Sequence, residues 1–271
     1  MNRTEIADII VQKLEANLTS MKKMYDQSEP AIGYFYIDDL LPEEVARTIY
    51  ECFPDGSNMR LKKSLKEYKY IAAQMNNYNP ILEETIYAFQ DPRVVELVSK
   101  ITSIKSLNPD EHLYAGGISL MGNKHYLNPH LDNSHDKDRD QWRVLNLLYY
   151  VTPQWEENFG GNLELWPNGL DSAQTTIHSK FNRLAVMATH DGSWHSVSPI
   201  DAEGKARCCV SNYYFSKTAL KSTDRFHITS FRGRPEQKVR DAVLKVDIKL
   251  RMAVRKVFKK GIVENKHVYK K

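Results

Sequence analysis

Residues 193–216 read SWHSVSPIDAEGKARCCVSNYYFS. Two runs, SWHSVSPI (193–200) and ARCCVSNYYFS (206–216), flank the turn-forming segment DAEGK. Both runs are rich in β-branched, aromatic and small residues, so the pattern predicts two short strands joined by a tight connection. The same texture extends upstream through LYAGGISLM (113–121), RVLNLLYYVT (143–152), GNLELW (161–166) and RLAVMAT (183–189), and downstream to FHITSF (226–231). Gly, Pro, Asn and Asp clusters separate these runs. Many short strands at modest spacing predict an all-β sandwich or barrel from about residue 107 to 232.

Helical periodicity flanks this β region. Ile6, Ile10, Leu14, Leu18 and Met21 recur every three or four residues, which predicts one amphipathic helix over 4–24. GYFYIDDLL then reads as a short strand and turn, and Pro42 with Glu43 and Glu44 opens a further helix carrying Val45, Ile49 and Phe53 inward. Residues 57–79 are rich in Lys, Asn and Tyr and read as a surface loop. Residues 80–104 hold two short helices broken at Asp91-Pro92. From Pro235 to Lys260 the period is helical again, with Val239, Val243, Val246, Leu250, Ala253 and Val257 on one face expected to pack on the β region. The division is a single catalytic domain over 1–271: a helical support region (1–106), the β core (107–232) and a basic C-terminal helix and tail (233–271).

Composition narrows the classes. The 271 residues are 41% hydrophobic and 27% charged, an ordinary globular balance that argues against wholesale disorder. No apolar run reaches the roughly 18–20 residues of a membrane span, and the N-terminal MNRTEIADIIVQKLEANL lacks the apolar core of a secretory leader. Cys52, Cys208 and Cys209 form neither a disulfide framework nor a zinc ribbon, which favours a reducing, cytoplasmic setting. From Lys217 onward there are 17 Lys and Arg against 5 Asp and Glu, leaving 21 against 29 before it. An acidic body thus carries a basic tail. A solvated helix face is the simple reading, and a peripheral membrane or acidic-partner contact the alternative. No nucleic-acid motif accompanies the charge, so nucleic acid is not an expected partner.

Among nine histidines, His125, His135, His178 and His267 lie in polar surroundings and read as surface groups. His130-Leu131-Asp132 differs. Two residues apart on an extended chain, the imidazole and the carboxylate project the same way. H-x-D alone is a weak signal. His195, on a later strand, supplies a second nitrogen, although a histidine on an apolar strand is by default a satisfied core residue. Two imidazoles and one carboxylate are the ligand set of the facial triad that holds non-haem Fe(II) and leaves coordination positions open. A closed structural zinc site needs four protein ligands, and no fourth has suitable spacing. Arg207 lies twelve residues after His195. On an alternating strand, Arg207, Cys209, Ser211 and Tyr213 share a face. A guanidinium inside a barrel is costly unless it meets an anion, for which a dicarboxylate held by a bidentate fork is the natural candidate. A surface Arg on an edge strand is the alternative.

With these residues assembled, the sequence resembles the 2-oxoglutarate and Fe(II)-dependent dioxygenases, in the prolyl 4-hydroxylase-like branch. The resemblance rests on PHLD (129–132), RVLNLLYYVT (143–152), GGNLELW (160–166), WHSVSPI (194–200) and ARCCVSNYYFS (206–216), in the family's order, and extends from about Gly33 to about Arg234. It implies a double-stranded β-helix, or jelly-roll, core with flanking helices. It implies that His130, Asp132 and His195 bind Fe(II), and that Arg207 grips the distal carboxylate of 2-oxoglutarate. Tyr150 and Ser211 match places where the family puts hydroxyl donors to that cosubstrate, and Gly160-Gly161 opens the strand that turns back to the site. One departure is that ISLMGNK, before the H-x-D, lacks a Tyr that often meets the cosubstrate, and Asn146 is a candidate replacement. An Asp at 132, where the family's halogenases carry a small residue, argues for hydroxylation.

The resemblance implies Fe(II), 2-oxoglutarate and O2 as cofactors, with ascorbate a candidate stimulant, and hydroxylation of an unactivated C–H with succinate and CO2 as coproducts. The substrate expectation is a small molecule, a glycan or a peptidyl group, reached between loops 57–79, 133–142 and 167–182, which carry Arg139, Trp142 and Asn168. Desaturation or cyclisation would use the same residues. A non-catalytic jelly-roll binding module is the reading from a different class, and the intact set of His130, Asp132, His195 and Arg207 argues against it.

Overall fold

The structure, a computed structural model, describes residues 1–257 and Tyr269. The chain opens with helices α1 (Arg3–Ala16) and α2 (Leu18–Ser28), strand β1 (Tyr34–Ile37) and helix α3 (Glu43–Glu51). A hairpin of β2 (Arg60–Lys63) and β3 (Glu67–Ala72) precedes α4 (Pro80–Ala88) and α5 (Pro92–Thr102). Ten strands follow: β4 (Asn108–Pro109), β5 (Gly117–Gly122), β6 (Tyr126–Leu131), β7 (Trp142–Tyr150), β8 (Leu163–Leu165), β9 (Thr175–Ile177), β10 (Arg183–Ala188), β11 (His195–Val197), β12 (Ala206–Ser216) and β13 (Ser230–Phe231). Helix α6 (Lys238–Val257) comes last.

The strands pair antiparallel in the order β1-β10-β7-β12-β5-β3-β6-β11-β8-β9, with β13 beside β6, β2 beside β3 and β4 beside β12. This sheet curls on itself as the mainly β jelly-roll half-barrel expected, with six helices among the described residues around it. The period-2 alternation of β7 and β12 sorts side chains between its two faces. Leu145, Leu147, Tyr149, Cys208, Val210 and Tyr214 join the helices in the larger core. Tyr150 and Cys209 instead meet Leu163 and Leu165 of β8 across the interior. Both faces of β7 are buried, which is why RVLNLLYYVT reads as a nearly continuous apolar run.

Local signals account for most helix ends. Asn79 and Asp91 cap α4 and α5 by accepting hydrogen bonds from the Ile81 and Arg93 amides, and a proline follows each cap. The single helix expected over 4–24 is two. The chain bends at Asn17, whose side-chain amide donates to the Lys13 carbonyl. Ile6, Ile10, Leu14 and Met21 still face the core across the break.

Three further expectations are corrected. Residues 57–79 are not a surface loop. They form the β2–β3 hairpin, and β3 fills the sheet between β5 and β6. Its Lys and Tyr side chains are half-buried, so the segment has no clean apolar alternation, and its strand character comes from its neighbours. His125 is not a surface group: it is 5% exposed and stacks on Tyr68. His267 lies outside the described residues. Helix α6 forms as expected but faces the other way. Val239, Val243, Val246 and Leu250 are 80%, 50%, 57% and 64% exposed, while Leu244 is buried. Polar ties decide this orientation. Asp241 accepts hydrogen bonds from Arg232 and the Gly233 amide, Asp247 pairs with Lys66, and Arg251 donates to the Thr229 carbonyl. Among the described residues no helix is long and apolar enough to cross a membrane.

Candidate active site

The site begins with the β6–β11 ladder, which sets His195 directly opposite His130. Their ring centroids are 4.0 Å apart. Asp132 follows β6 by one residue and closes the group, with His130 Nε2 3.7 Å and His195 Nε2 3.8 Å from its two carboxylate oxygens. The three ligand atoms lie within 4.8 Å of one another. Donors each about 2.1 Å from a shared ion stand at most about 4.2 Å apart, and both separations fall under that bound, so one ion can bridge the group after a small inward shift of the side chains.

The donor chemistry fits a cation as well. Nδ1 of His130 and Nδ1 of His195 each lie 3.0 Å from a backbone carbonyl, of Asn128 and Ser193. Those bonds place the ring protons on Nδ1 and leave the Nε2 lone pairs facing inward. Oδ2 of Asp132 is buried without a hydrogen-bond partner. Burial alone would raise the Asp132 carboxyl, but nearby Arg143 and the two imidazoles outweigh it and hold it down to about 2. Burial, with His195 beside it, pushes His130 down to about 3, so the imidazole is neutral, the form that binds a metal.

Further residues brace the triad. Phe231 on β13 pairs with His130 and stacks on its ring at 5.0 Å between centroids. Behind β11, Ser196 Oγ donates to Glu164, Arg234 donates to the same carboxylate and to the Val197 carbonyl, and Trp166 Nε1 donates to Ser196. This buried network ties β8 and β11 to the segment before α6.

A cavity of about 120 Å³ reaches inward from the triad, lined by Arg207, Ser211, Tyr213, Asn146, Lys69 and Gly117 among others. Arg207, Ser211 and Tyr213 point into it from alternate positions of β12, as the strand reading expects. Arg207 is 4% exposed; its Nη1 donates to the Gly161 carbonyl, and its Nε has no partner. A buried cation with an unused donor facing a small polar cavity fits a carboxylate ligand. Asn146 lines the same cavity and donates to the Tyr213 hydroxyl. Tyr150 is placed differently. Its ring centroid lies 5.3 Å from the Arg207 guanidinium, its hydroxyl is buried without a partner, and it is not among the lining residues.

Glycines give the cavity its close walls. Gly117 has φ +128°, and a Cβ there would stand 2.2 Å from the Ala72 carbonyl oxygen. Gly160 has φ +76°, and its Cβ would stand 2.1 Å from the Pro199 carbonyl oxygen, so the Gly160-Gly161 turn permits the approach that lets Gly161 receive Arg207.

A wider cleft of about 920 Å³ opens outward, with His130 and Asp132 on its wall. Its sides come from the β2–β3 hairpin, residues 133–143, residues 226–231 and α6. The expected contribution from 167–182 is absent from the lining, and Trp155 and Trp166 are core residues whose indole N–H groups donate to Gly160 and Ser196. Sequence reasoning missed Lys69, because its segment reads as a loop. It missed Phe231 and α6 as walls, because neither bears a motif. The alternation of Tyr213 with Arg207 and Ser211 did signal that position.

Comparison with known proteins follows this geometry. Residues 116–215 match the family model described as the 2OG-Fe(II) oxygenase superfamily. No curated protein sequence matches the chain. Among solved structures, a prolyl-4-hydroxylase from Pseudomonas putida is similar at TM-score 0.53 and 16% identity, covering 72% of this chain and 98% of its own. A prolyl 4-hydroxylase from Phytophthora capsici is similar at TM-score 0.56 and 17% identity, covering 91% and 75%. A Trichoplax adhaerens prolyl hydroxylase, solved with a hypoxia inducible factor peptide fragment, is similar at TM-score 0.53 and 18% identity, covering 76% and 93%. At these identities the solved structures speak for the fold. The matched segment runs from β5 to β12, contains every residue of the triad and Arg207, and over that segment the chain carries the pattern of the 2OG-Fe(II) oxygenase superfamily, oxidoreductases that use Fe(II), 2-oxoglutarate and O2.

Proposed function

We propose that this oxygenase hydroxylates an unactivated C–H of a small-molecule, glycan or peptidyl substrate, releasing succinate and CO2. In this reading His130, Asp132 and His195 hold Fe(II), and Arg207 and Ser211 hold the distal carboxylate of 2-oxoglutarate in the inner cavity. The observation that carries it is the convergence of two Nε2 lone pairs and an orphaned carboxylate oxygen, with both Nδ1 protons already committed to backbone carbonyls. When bound, the iron and its cosubstrate supply the oxidising power for C–H cleavage.

The chain's own residues position and exclude. The two Nδ1–H bonds to carbonyls fix the imidazole planes and tautomers. Arg143, 3.6 Å from Asp132 Oδ1, keeps that carboxylate ionised. Arg207 orients a dicarboxylate so that its other end meets the triad. The outer cleft, which shares His130, Asp132 and Tyr213 with the Arg207 cavity, admits substrate beside the triad. Asp132 supports hydroxylation, since it occupies a position that a halide would need. We further propose residues 107–232 as the catalytic core and a reducing, cytoplasmic setting, which the free thiols of Cys52, Cys208 and Cys209 support.

The test is anaerobic titration of Fe(II) and 2-oxoglutarate, followed by the weak visible charge-transfer band, in wild type and Asp132→Ala. The band should form in wild type and vanish in the variant. A folded wild-type protein without the band would withdraw the assignment.

A further inference from the structure

Resting on that oxygenase reading and deepening it, the charge of the outer cleft identifies a class of substrate. Seven cationic side chains line it against three acidic ones. Four cations already have partners. Lys66 pairs with Asp247, Lys69 with Glu67, Arg251 with Asp247 and the Thr229 carbonyl, and Arg143 faces Asp132. The other three, Lys62, Arg139 and Arg255, have no ion-pair partner among the described residues.

Arg139 is the most telling. Its guanidinium lies 4.0 Å over the Phe226 ring, and its Nε and Nη2 are both buried without hydrogen bonds. Two unsatisfied guanidinium donors on one side chain leave the fork open to an acceptor. Arg255 stands close enough on α6 that the two cations repel. Lys62, on β2, is held below the usual lysine range chiefly by burial, with Arg60 and Lys69 as like charges and Glu67 opposing them. Arg139 and Arg255 thus face one space with no ion-pair partner among the described residues, and Lys62 adds a third cation whose nearby acid, Glu67, is already paired with Lys69. The 2-oxoglutarate assigned to Arg207 does not answer this need, because Lys62, Arg139 and Arg255 line the outer cleft and not the inner cavity.

We propose that the cleft binds an anionic substrate, with a phosphate or carboxylate group held by Arg139 and Arg255 and flanked by Lys62, so that a neighbouring C–H is presented to the triad. Helix α6 is then part of the substrate site. Its edge on the cleft supplies Arg251 and Arg255 beside Leu250 and Val254, while Val239, Val243 and Val246 stay exposed. A planar fork such as Arg139 binds either oxyanion through paired N–H donors.

The experiment uses three sugars of one size: glucose 1-phosphate, glucuronate and glucose. Each is titrated calorimetrically into the full-length protein, metal-free and loaded with Mn(II) and 2-oxoglutarate, at low salt. Binding of either charged sugar with glucose silent supports the proposal, and the stronger of the two names the oxyanion. Arg139→Ala and Arg255→Ala should each weaken that binding about fivefold, as expected for loss of roughly 1 kcal/mol of charge-assisted hydrogen bonding. Arg139→Lys should restore part of it. Lys62→Ala, on the other wall, should lower affinity too, so the idea survives a variant that fails to fold. Equal binding of all three sugars, or of none, overturns the proposal. So does charge preference that persists in the Arg139→Ala/Arg255→Ala double variant or disappears only in Arg207→Ala. Failure to load Mn(II) and 2-oxoglutarate with charge preference intact would reject the oxygenase assignment instead and leave the anion site standing.

Discussion

Arg207→Met separates a structural role for this guanidinium from a binding one. The side chain is 4% exposed, donates to the Gly161 carbonyl at 2.7 Å and keeps Nε unpaired beside the 120 Å³ cavity. In the free protein two effects oppose. Replacing a buried, incompletely paired cation by an apolar chain of similar length stabilises by about 1–4 kcal/mol, whereas orphaning the Gly161 carbonyl costs about 1–3 kcal/mol. The thermal midpoint of the free protein should therefore move little. With 2-oxoglutarate bound the balance changes, because losing one partner of a buried charge pair costs about 2–5 kcal/mol, or roughly 30- to 4,000-fold in Kd. At a concentration about 100 times the wild-type Kd, the cosubstrate should stabilise wild type by about 2.7 kcal/mol, raising the midpoint by about 5–10 °C. At the same concentration even a 30-fold weaker variant should gain only about 0.9 kcal/mol, or about 2–3 °C. Differential scanning calorimetry with Mn(II), with and without 2-oxoglutarate, reads both quantities. An equal rise in both proteins, with Mn(II) binding intact, would refute the assignment of Arg207 to the cosubstrate.

Three other perturbations test the fold around the site. Asn182, buried on the turn before β10, accepts from the Leu41 amide and the Tyr149 hydroxyl and donates to the Leu41 carbonyl. Asn182→Ala should cost about 2–4 kcal/mol by orphaning buried groups, and a denaturant midpoint unchanged from wild type would show that water replaces the side chain. Asp241 anchors α6, and its hydrogen bonds from Arg232, assisted by Lys245 and the Gly233 amide, hold its carboxyl below the usual carboxylate range. A depressed carboxylate stabilises fully above its unfolded pKa of about 3.9 and loses that contribution as pH falls toward its folded value. The thermal gap between wild type and Asp241→Asn should thus be widest near neutral pH and close below about pH 4; a gap independent of pH would remove the anchor. Finally, Val243→Lys with Val246→Lys, at positions 50% and 57% exposed, should change stability by no more than about 0.5 kcal/mol each. A loss of several kcal/mol would mean that this face of α6 is covered after all.

The site was legible because its chemistry is local. His130 and Asp132 share a strand end, and Arg207, Ser211 and Tyr213 share a strand face, so period-2 geometry relates them within a few residues. That His195 stands opposite His130 followed only from the ligand set it would complete, and the β6–β11 register supplies the contact. Tyr150 shows the limit of such transfer. It shares a strand and a face with Asn146, yet Asn146 meets the cavity wall and Tyr150 lies beneath Arg207.

By itself the chain's pattern determined the strand-rich core, the caps that start α4 and α5, and the pairing of His130 with Asp132 and of Arg207 with Ser211 on one strand face, since alternation, capping and side-chain chemistry act over a few residues. Tertiary structure alone decided the rest. The β2–β3 hairpin is a pair of strands because β5 and β6 offer it hydrogen bonds, not because Lys and Tyr favour a sheet. Helix α6 turns Val239, Val243 and Val246 outward because Asp241, Asp247 and Arg251 find partners at long range, and those ties outweigh the burial of a narrow apolar stripe. The cleft's unpaired cations are likewise visible only in three dimensions, because Lys62, Arg139 and Arg255 are brought to one space by elements far apart in the chain.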